Sequence, residues 1–415
     1  MIATCKKIYR WTFVLLLSLS FVPLYAQSFY QVGAEVKGAA GAGITQSRNY
    51  TALEYNPSNL NYTRGNAIKT DFSFLNVSYQ YLPLPKNQKK VSIDVNTPTF
   101  TLGYTHRYNQ TLVLGIGLVP TGAGQEMEIQ NLPIQVGGSS ALVTAKNKNT
   151  GFKLSSGLSW ASGKSFILGL SLQYMSESTE TKVSSAEGAT VIDSTADGQF
   201  FRPIFGAKLN KFKKRLSIGA TIKLPLKKTY RGRVISSLIS GGEASPSNKI
   251  DYLPWEVGFG FSLKLKYLEL FQEVNYLRYS GGRYSQNRGY LQPSGAATDL
   301  NDVINAHMGG RYKWSKQYCM SLAYGYYPSN IGQGLTLQED GTEETISLGP
   351  SFGDMQALDR SVFAAGLSYK PKSAFLHQLS LQHTTGRRTI NASSSGPGVY
   401  LLSIWELGIG TTFRF

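Results

Sequence analysis

The chain of 415 residues is poor in cysteine and in acidic residues. It has two cysteines, and because Cys5 lies in a segment that we expect to be removed, Cys319 has no disulfide partner. Lys and Arg number 42 against 25 Asp and Glu, a formal net charge of +17, of which three charges lie in the first 26 residues. The remaining excess suits anionic lipopolysaccharide or an anionic solute. Nucleic acid is not expected as a partner, because the N-terminal pattern described below predicts export, which separates the protein from nucleic acid.

Long hydrophobic runs are also missing. Beyond the N terminus no segment reaches about 18 consecutive apolar residues, and the mean hydropathy is −0.18. A helical membrane protein is therefore not expected. Residues 1–26 combine a basic start, an apolar run from Trp11 to Val22 and the small residue Ala26. This pattern predicts a secretory signal peptide.

Catalytic and metal-binding motifs are lacking as well. Three Gly-x-Gly sequences lie inside predicted strands with no helix after them, which argues against dinucleotide binding. The four histidines lack metal-ligand spacing, apart from the wide pair His377 and His383, and no cysteine accompanies them. We therefore expect no enzyme activity, no catalytic residue, no metal and no cofactor.

What the chain does have is alternation of apolar and polar residues with period two. In Leu401–Phe415 the apolar parity carries Trp405, Leu407, Ile409 and Phe413, and the other parity is small or polar. A strand with one oily face and one polar face, ending in an aromatic residue, is typical of the closing strand of an outer-membrane β-barrel.

The same alternation predicts fourteen strands, the first near Asp71–Tyr81 and the last at Leu401–Phe415. A phase slip between Phe74 and Val77 predicts a bulge in the first strand. Short and long connections alternate along the chain, as in barrels with short periplasmic turns and longer external loops. A soluble β-sandwich or propeller is the alternative, but the long strands and the aromatic residues near strand ends favour a membrane barrel over residues 67–415.

A different pattern precedes the first strand. Residues 27–66 do not alternate and are rich in small residues, including Gly38–Gly43. They also contain Asn56 followed by Pro57, a good helix start because Asn can cap the helix and Pro fits its first position. An ordinary turn is the alternative for an isolated Asn-Pro pair.

This combination resembles the FadL/TodX family of outer-membrane transporters for long-chain fatty acids and aromatic hydrocarbons. The resemblance runs through the small residues of Gly38–Gly43, then Ala52, Leu53, Tyr55, Asn56, Pro57 and Leu60, with a further likeness at Gly310–Trp314 and Leu322–Pro328. Ser58 and Asn59 replace the Ala and Gly that are usual in the family. The resemblance implies an all-β fold: a 14-stranded antiparallel transmembrane β-barrel plugged by an N-terminal hatch, residues 27–66, with the hatch motif Tyr55, Asn56, Pro57 and Ser58.

The resemblance also implies a function. External loops would capture a hydrophobic compound such as a long-chain fatty acid, and a pocket above the hatch would hold it. The compound would then leave sideways through the wall, near an inward kink of the third strand. Gly115, Gly117 and Pro120 are the candidates for that kink, because they weaken a strand or permit a bend. Glycines at inward barrel positions are an equally ordinary alternative.

Parity and charge suggest ligand contacts. A fatty acid needs apolar walls and one or two basic groups. Arg311, two inward positions from His307, is the first candidate, and Lys223 and Lys264 are further inward-facing candidates. Structural charge pairing within the lumen is the alternative for each of them. Two apolar loop runs, 132–136 and 234–239, would capture ligand or form short strands that extend a hairpin.

The expected setting is the outer membrane of a Gram-negative bacterium, with a monomer in contact with membrane lipid and lipopolysaccharide. The closing strand would be read by the barrel-assembly machinery. Two other functions stay open: a FadL-like barrel serving as a partner subunit in protein secretion or surface assembly, and an open porin for anionic solutes.

Overall fold

The computed structural model describes residues 31–83, 91–121, 126–136, 139–163, 165–185, 190–212, 215–236, 244–279, 297–300, 302–329, 331–339, 342–346, 358–372, 374–390 and 398–415. The predicted signal peptide and the first residues of the predicted hatch segment lie outside this part of the chain, as do parts of the long loops.

Alternating sequence becomes strand almost throughout the described residues after Asn66. The twenty strands are β1 Ala67–Pro83, β2 Val91–Arg107, β3 Leu112–Pro120, β4 Glu126–Val136, β5 Ser139–Ser162, β6 Phe166–Ser185, β7 Thr190–Lys211, β8 Leu216–Lys223, β9 Leu226–Ser236, β10 Ala244–Leu253, β11 Trp255–Lys264, β12 Leu268–Arg278, β13 Ala297–Leu300, β14 Val303–Lys313, β15 Tyr318–Tyr327, β16 Ile331–Glu339, β17 Thr342–Ile346, β18 Asp359–Tyr369, β19 Phe375–Ile390 and β20 Gly398–Arg414.

Fourteen of these strands close into one antiparallel barrel, which confirms the predicted fold. In order around the wall they are β1, β2, β3, β5, β6, β7, β8, β11, β12, β14, β15, β18, β19 and β20. The seam is the pairing of β20 with β1, from Ala67 opposite Arg414 to Pro83 opposite Gly398. One end of the barrel carries short connections, such as those between Ser162 and Phe166; we call it the turn end, and the opposite end the loop end.

The outer face of the wall is apolar because strand side chains alternate between the two faces. Phe72 on β1 is 46% exposed on the outside and Trp405 on β20 is 47% exposed, while Ser73 next to Phe72 is buried inside. The short helices among the described residues are not long and apolar enough to cross a membrane.

The predicted bulge in the first strand is wrong. β1 pairs with both β2 and β20 in unbroken register across Phe74 and Val77. Val77 is buried because it has inward parity, so the apparent slip is an apolar residue facing the interior. The ninth barrel strand, β12, also has an apolar residue on its inner face, since Phe271 is buried there beside Glu273.

Six further strands lie outside the fourteen-stranded ring. β4 pairs with the loop-end part of β5, and the β9–β10 hairpin pairs with that of β7. β13, β16 and β17 form a separate three-stranded sheet. The apolar run 132–136 lies in β4, and the first three residues of the run 234–239 lie at the end of β9. Both observations are expected for strands that extend hairpins. β5, β6 and β7 span 20 residues or more, beyond the roughly 9–11 that cross a bilayer.

Candidate functional site

Residues 31–66, here called the hatch, lie inside the barrel. They form three short α-helices, Ala34–Lys37, Gly43–Gln46 and Ala52–Tyr55, and two 3₁₀ helices, Asn49–Thr51 and Pro57–Tyr62. Helices this short are not stable alone, so tertiary contacts must hold them. Most of their side chains are buried, including the polar ones.

Hydrogen bonds fasten the hatch to opposite sides of the wall. The Ala34 amide donates to Asp71 Oδ1 on β1 at 3.0 Å. The Ile44 and Thr45 amides donate to the two carboxylate oxygens of Glu273 on β12, at 2.9 and 2.6 Å. On β15, the Ser321 hydroxyl donates to the Gly38 carbonyl at 2.9 Å. Contacts on strands so far apart around the ring fix the hatch within the lumen.

Buried ion pairs add to these bonds. Lys37 pairs with Glu406 on β20, and Glu54 pairs with Lys153 on β5. Glu35 is bonded to Lys69 on β1 and accepts a hydrogen bond from Thr51 at 2.6 Å. Burial alone would raise the pKa of Glu35, but the Lys69 charge and these hydrogen bonds hold that pKa below its ordinary value. Each pair joins a hatch residue to a wall strand, so removing either partner leaves a buried charge without its counter-ion.

The motif around Asn56 and Pro57 starts a helix, as its sequence predicts. Asn56 has extended backbone angles, and its Oδ1 accepts hydrogen bonds from the Ser58 amide at 3.2 Å and the Ser58 hydroxyl at 2.7 Å. The Asn56 Nδ2 donates to the Ile44 carbonyl at 3.2 Å, which ties two hatch segments together. The Tyr55 hydroxyl accepts a hydrogen bond from the Val32 amide at 2.6 Å. The motif therefore organises the hatch internally.

Wall glycines leave the space in which this motif sits. Gly169 on β6 and Gly206 on β7 are directly opposite one another. A Cβ at position 206 would lie 2.1 Å from Asn56 Oδ1, and one at position 169 would lie 2.2 Å from the Ser58 nitrogen. A side chain at either position would collide with the hatch, so these two glycines define its seat.

The glycines of the predicted kink have a similar position. β3 pairs with β5 in unbroken register from Leu112 to Pro120. Side chains at Gly115 and Gly117 would meet Leu60 and Tyr50 of the hatch, at 2.9 and 2.5 Å. These two glycines face inward and leave room for hatch side chains, which agrees with the alternative that they are ordinary inward positions of a barrel. The kink of the third strand stays a prediction.

The four predicted ligand contacts all face inward but do not form one site. His307 and Lys223 line a small cavity of about 30 Å³ toward the loop end. Arg311 and Lys264 line a cavity of about 430 Å³ at the turn end. The hatch separates these two cavities, because Ile44 and Tyr55 line the first and Glu35 and Arg48 the second. Two inward positions along β14 are enough to place His307 and Arg311 on different sides.

The loop-end cavity is polar and tightly paired. The Lys223 Nζ lies 2.9 Å from Glu256 Oε1 and 5.9 Å from the ring centre of Tyr55. The His307 Nδ1 donates to the Ala40 carbonyl at 2.8 Å, which leaves the Nε2 atom without a hydrogen-bond partner among the described residues. A volume of this size holds about one water molecule, so it is too small for a hydrophobic ligand.

The turn-end cavity is wider and more basic. Glu269 lies between Lys264 and Arg311, with nitrogen–oxygen distances of 3.7 and 3.8 Å. Arg48 from the hatch lines the same cavity, and its guanidinium has no hydrogen bond or ion pair within the described chain. Sequence analysis did not single out Arg48, although it is the one arginine of the hatch before Arg64.

A cluster of buried apolar side chains lies nearer the loop end. Here Met175, Ala196, Phe200 and Tyr230 pack together on the inner side of β6, β7 and β9; we call this cluster the apolar wall patch. The Phe200 and Tyr230 rings meet edge to face, with centroids 5.1 Å apart. Beside them Lys228 Nζ contacts both oxygens of Glu177, at 3.0 and 2.9 Å. Parity could have found this patch, because inward aromatic residues interrupt the polar face.

A metal centre is not evident. Within the described ranges, no group of three or more His, Cys, Asp or Glu side chains could hold a metal ion.

The fold of this chain is similar to that of solved transporters and channels for hydrocarbons and to that of a FadL homologue. The Pseudomonas putida toluene transporter TodX matches with a TM-score of 0.65 at 12% identity, over 94% of this chain and 99% of that one. A Pseudomonas aeruginosa FadL homologue matches with a TM-score of 0.68 at 12% identity, over 95% and 99%. The Ralstonia pickettii toluene transporter TbuX matches with a TM-score of 0.60 at 10% identity, over 92% and 98%.

These similarities establish the fold that the chain shares with FadL and TodX. Neither a family model nor a curated protein matches the sequence. The fold is therefore shared at a sequence identity of only 10–12%.

Proposed function

We propose that this protein is a passive outer-membrane channel for hydrophobic compounds such as long-chain fatty acids. Compounds would enter from the loop end, be held above the hatch and leave sideways through the wall. The hatch supports this route, because it occupies the lumen and blocks a straight axial path. A filled lumen with buried ion pairs is also unsuited to an open porin for anionic solutes.

The observation that carries the proposal is where the wall loses its pairing. In the described part of the chain β2 pairs with β1 as far as Val91, but its pairing with β3 stops at Leu102 opposite Leu118. Fewer backbone hydrogen bonds therefore close the wall on this side. Because β-sheet walls are sealed by such ladders, a lateral exit between β2 and β3 is the natural reading.

The apolar wall patch is the proposed holding surface. Apolar walls with one basic group are what a fatty acid needs, and Lys228 lies 5.6 Å from the ring centre of Phe200. Lys223 and His307 line the small cavity next to the hatch, which holds about one water molecule, so they stay predicted contacts for the polar head group alone. The solved structures with this fold include channels named for toluene and monoaromatic hydrocarbons, which supports the same class of compound.

The exit can be tested with a removable cross-link. In a Cys319→Ser background, Thr101→Cys with Val119→Cys would place a disulfide at the next rung beyond the end of the β2–β3 ladder. Leu102→Cys with Leu118→Cys is the matched control, because those residues are already opposite one another. Uptake of labelled oleate and toluene would be measured in cells that lack their own channels.

The first pair is expected to lower uptake when oxidised and to restore it on reduction, while the control pair changes nothing. Equal uptake in both redox states would contradict a β2–β3 exit. If the unmodified protein took up neither compound, although it was folded in the outer membrane, the transport function itself would be wrong.

A further inference from the structure

The turn-end cavity has an imbalance of charge. Its lining includes seven basic side chains and two carboxylates, Glu35 and Glu269. Glu35 is already engaged by Lys69, which leaves Glu269 as the carboxylate available to the cavity. Clustered charge of one sign in a concave site with low-dielectric walls focuses the electrostatic potential and concentrates counter-ions.

The innermost cations come from different parts of the fold. Arg48 belongs to the hatch, Lys264 lies at the end of β11, and Arg311 lies near the end of β14. Glu269 contacts Lys264 and Arg311 at 3.7 and 3.8 Å, longer than the 2.7–2.9 Å of a charge-assisted hydrogen bond. One distant carboxylate therefore serves two cations and leaves most of their donors, and the Arg48 guanidinium, free for another oxygen ligand.

The cavity is also the right size and is open to one side. Its volume of about 430 Å³ exceeds what a single ion needs, and four lysines stand around its mouth at the turn end: Lys266, Lys313, Lys316 and Lys370. These lysines would attract an anion from the turn side by long-range electrostatics. Arginine is suited to the final contact because its planar guanidinium binds carboxylate and phosphate oxygens in pairs.

We propose that the turn-end cavity binds an oxyanion, the phosphate or carboxylate group of a small molecule, between Arg48 of the hatch and Lys264 and Arg311 of the wall. The bound anion would add a second link between hatch and wall beside the pair of Glu35 and Lys69. The site is independent of the hydrophobic route, because the hatch separates it from the loop end. Its success or failure therefore leaves the proposed transport function untouched.

Binding can be measured on the full-length protein in neutral detergent by isothermal titration at constant ionic strength. Inorganic phosphate, glycerol phosphate and octanoate serve as probes. Saturable binding of the two phosphates alone would identify a phosphate group as the ligand, and binding of octanoate would identify a carboxylate. If none of the three binds saturably, the proposal is overturned.

Variants with opposite expectations make the test specific. Arg48→Gln is expected to weaken binding about tenfold, since a hydrogen bond to a charged group is lost. Glu269→Gln is expected to strengthen binding, because it removes the competing carboxylate. Lys372→Ala removes a charge from an exposed turn residue outside the cavity lining and should leave the affinity unchanged.

Unchanged binding in Arg48→Gln, or weaker binding in Glu269→Gln, would overturn the proposal. Because Glu269→Gln gains affinity, a loss of folding cannot imitate its expected result. Folding of each variant is checked by heat-dependent mobility on gels, which reports the closed barrel directly.

Discussion

The loop-end and turn-end sides of the hatch are lined by the same residue types in opposite arrangements. Toward the loop end Lys223 and Lys228 each lie 2.9 Å from a carboxylate of their own. At the turn end Lys264 and Arg311 share Glu269 at 3.7 and 3.8 Å. Toward the loop end each of these cations therefore has a close counter-ion of its own, whereas at the turn end two cations share one distant carboxylate.

The physical basis of the difference is desolvation. A buried charge is tolerated when a close partner and hydrogen bonds replace its water. Removing the partner leaves the desolvation free energy of the remaining charge uncompensated, which destabilises the fold. Lys264, whose side chain is 38% exposed, keeps part of its water and contributes little through a long ion pair. Substitutions of Lys223 and of Lys264 should therefore differ strongly in their effect on stability.

The largest effect is expected for Glu256→Gln. This change leaves Lys223 largely buried without its carboxylate, and we expect a loss of about 3 kcal/mol in the free energy of unfolding. The measurement is urea unfolding of the protein in lipid vesicles. A loss no greater than that of Glu269→Gln would remove the distinction between the two sides.

A smaller effect is expected when the hatch is pushed from its seat. Gly206→Val places methyl groups where Asn56 Oδ1 lies, and overpacking of this kind should cost about 2 kcal/mol. Faster hydrogen exchange of the hatch amides would report it. Gly163→Val is a control for the loss of a glycine near the same end of β6, because nothing lies close to its Cβ position, although its positive φ adds local strain. Equal exchange of the hatch amides in wild type and in Gly206→Val would show that the close approach of position 206 to Asn56 does not hold the hatch in place.

Glu35 combines features of the two sides, because it lines the turn-end cavity but has a close counter-ion, Lys69. Its pKa is lowered in the folded protein, so its contribution to stability is present at neutral pH and is lost as the pH falls through that lowered pKa, below its ordinary value of 4.5. The protection factors of the hatch amides, which compare the observed exchange with the intrinsic rate at the same pH, should therefore fall at acidic pH. In Glu35→Gln this pH dependence should be weaker, and an unchanged profile would assign it to other carboxylates.

The smallest effect is expected for Lys264→Met. Its side chain is 38% exposed and its ion pair is long, so the free energy of unfolding should change by less than about 0.5 kcal/mol. Urea unfolding next to Lys223→Met gives the direct contrast. A loss at position 264 as large as that at position 223 would mean that the turn-end cations are structural too.

The wall could be predicted from the sequence because period-two alternation records which face of each strand is outside. The fourteen strands and the inward parity of Arg311 followed from that rule alone. Depth along the barrel axis did not follow, since parity says which face a residue occupies but not which side of the hatch it lies on. That is why Arg311 and His307 were expected together and are found apart.

The hatch was less predictable for a related reason. Its helices are held by partners far away in sequence, such as Glu273 for Ile44 and Lys208 for Asn59. Local sequence marks only their start at Asn56 and Pro57. The bulge predicted near Val77 was wrong, because an apolar residue that packs in the interior looks in the sequence like a shift in the alternation of apolar and polar residues.

The seam between β1 and β20 has a consequence for how the molecule assembles. The Asn66 amide donates to the Phe415 carbonyl at 3.1 Å, and the Phe415 amide donates to the Asn66 carbonyl at 3.0 Å. The hatch thus enters the lumen beside the joint between the two barrel strands most distant in sequence. Closing that joint carries the largest loop-closure entropy in the wall. The last residue of the hatch is held at this joint, so closing the ring also fixes the point at which the plug enters the lumen.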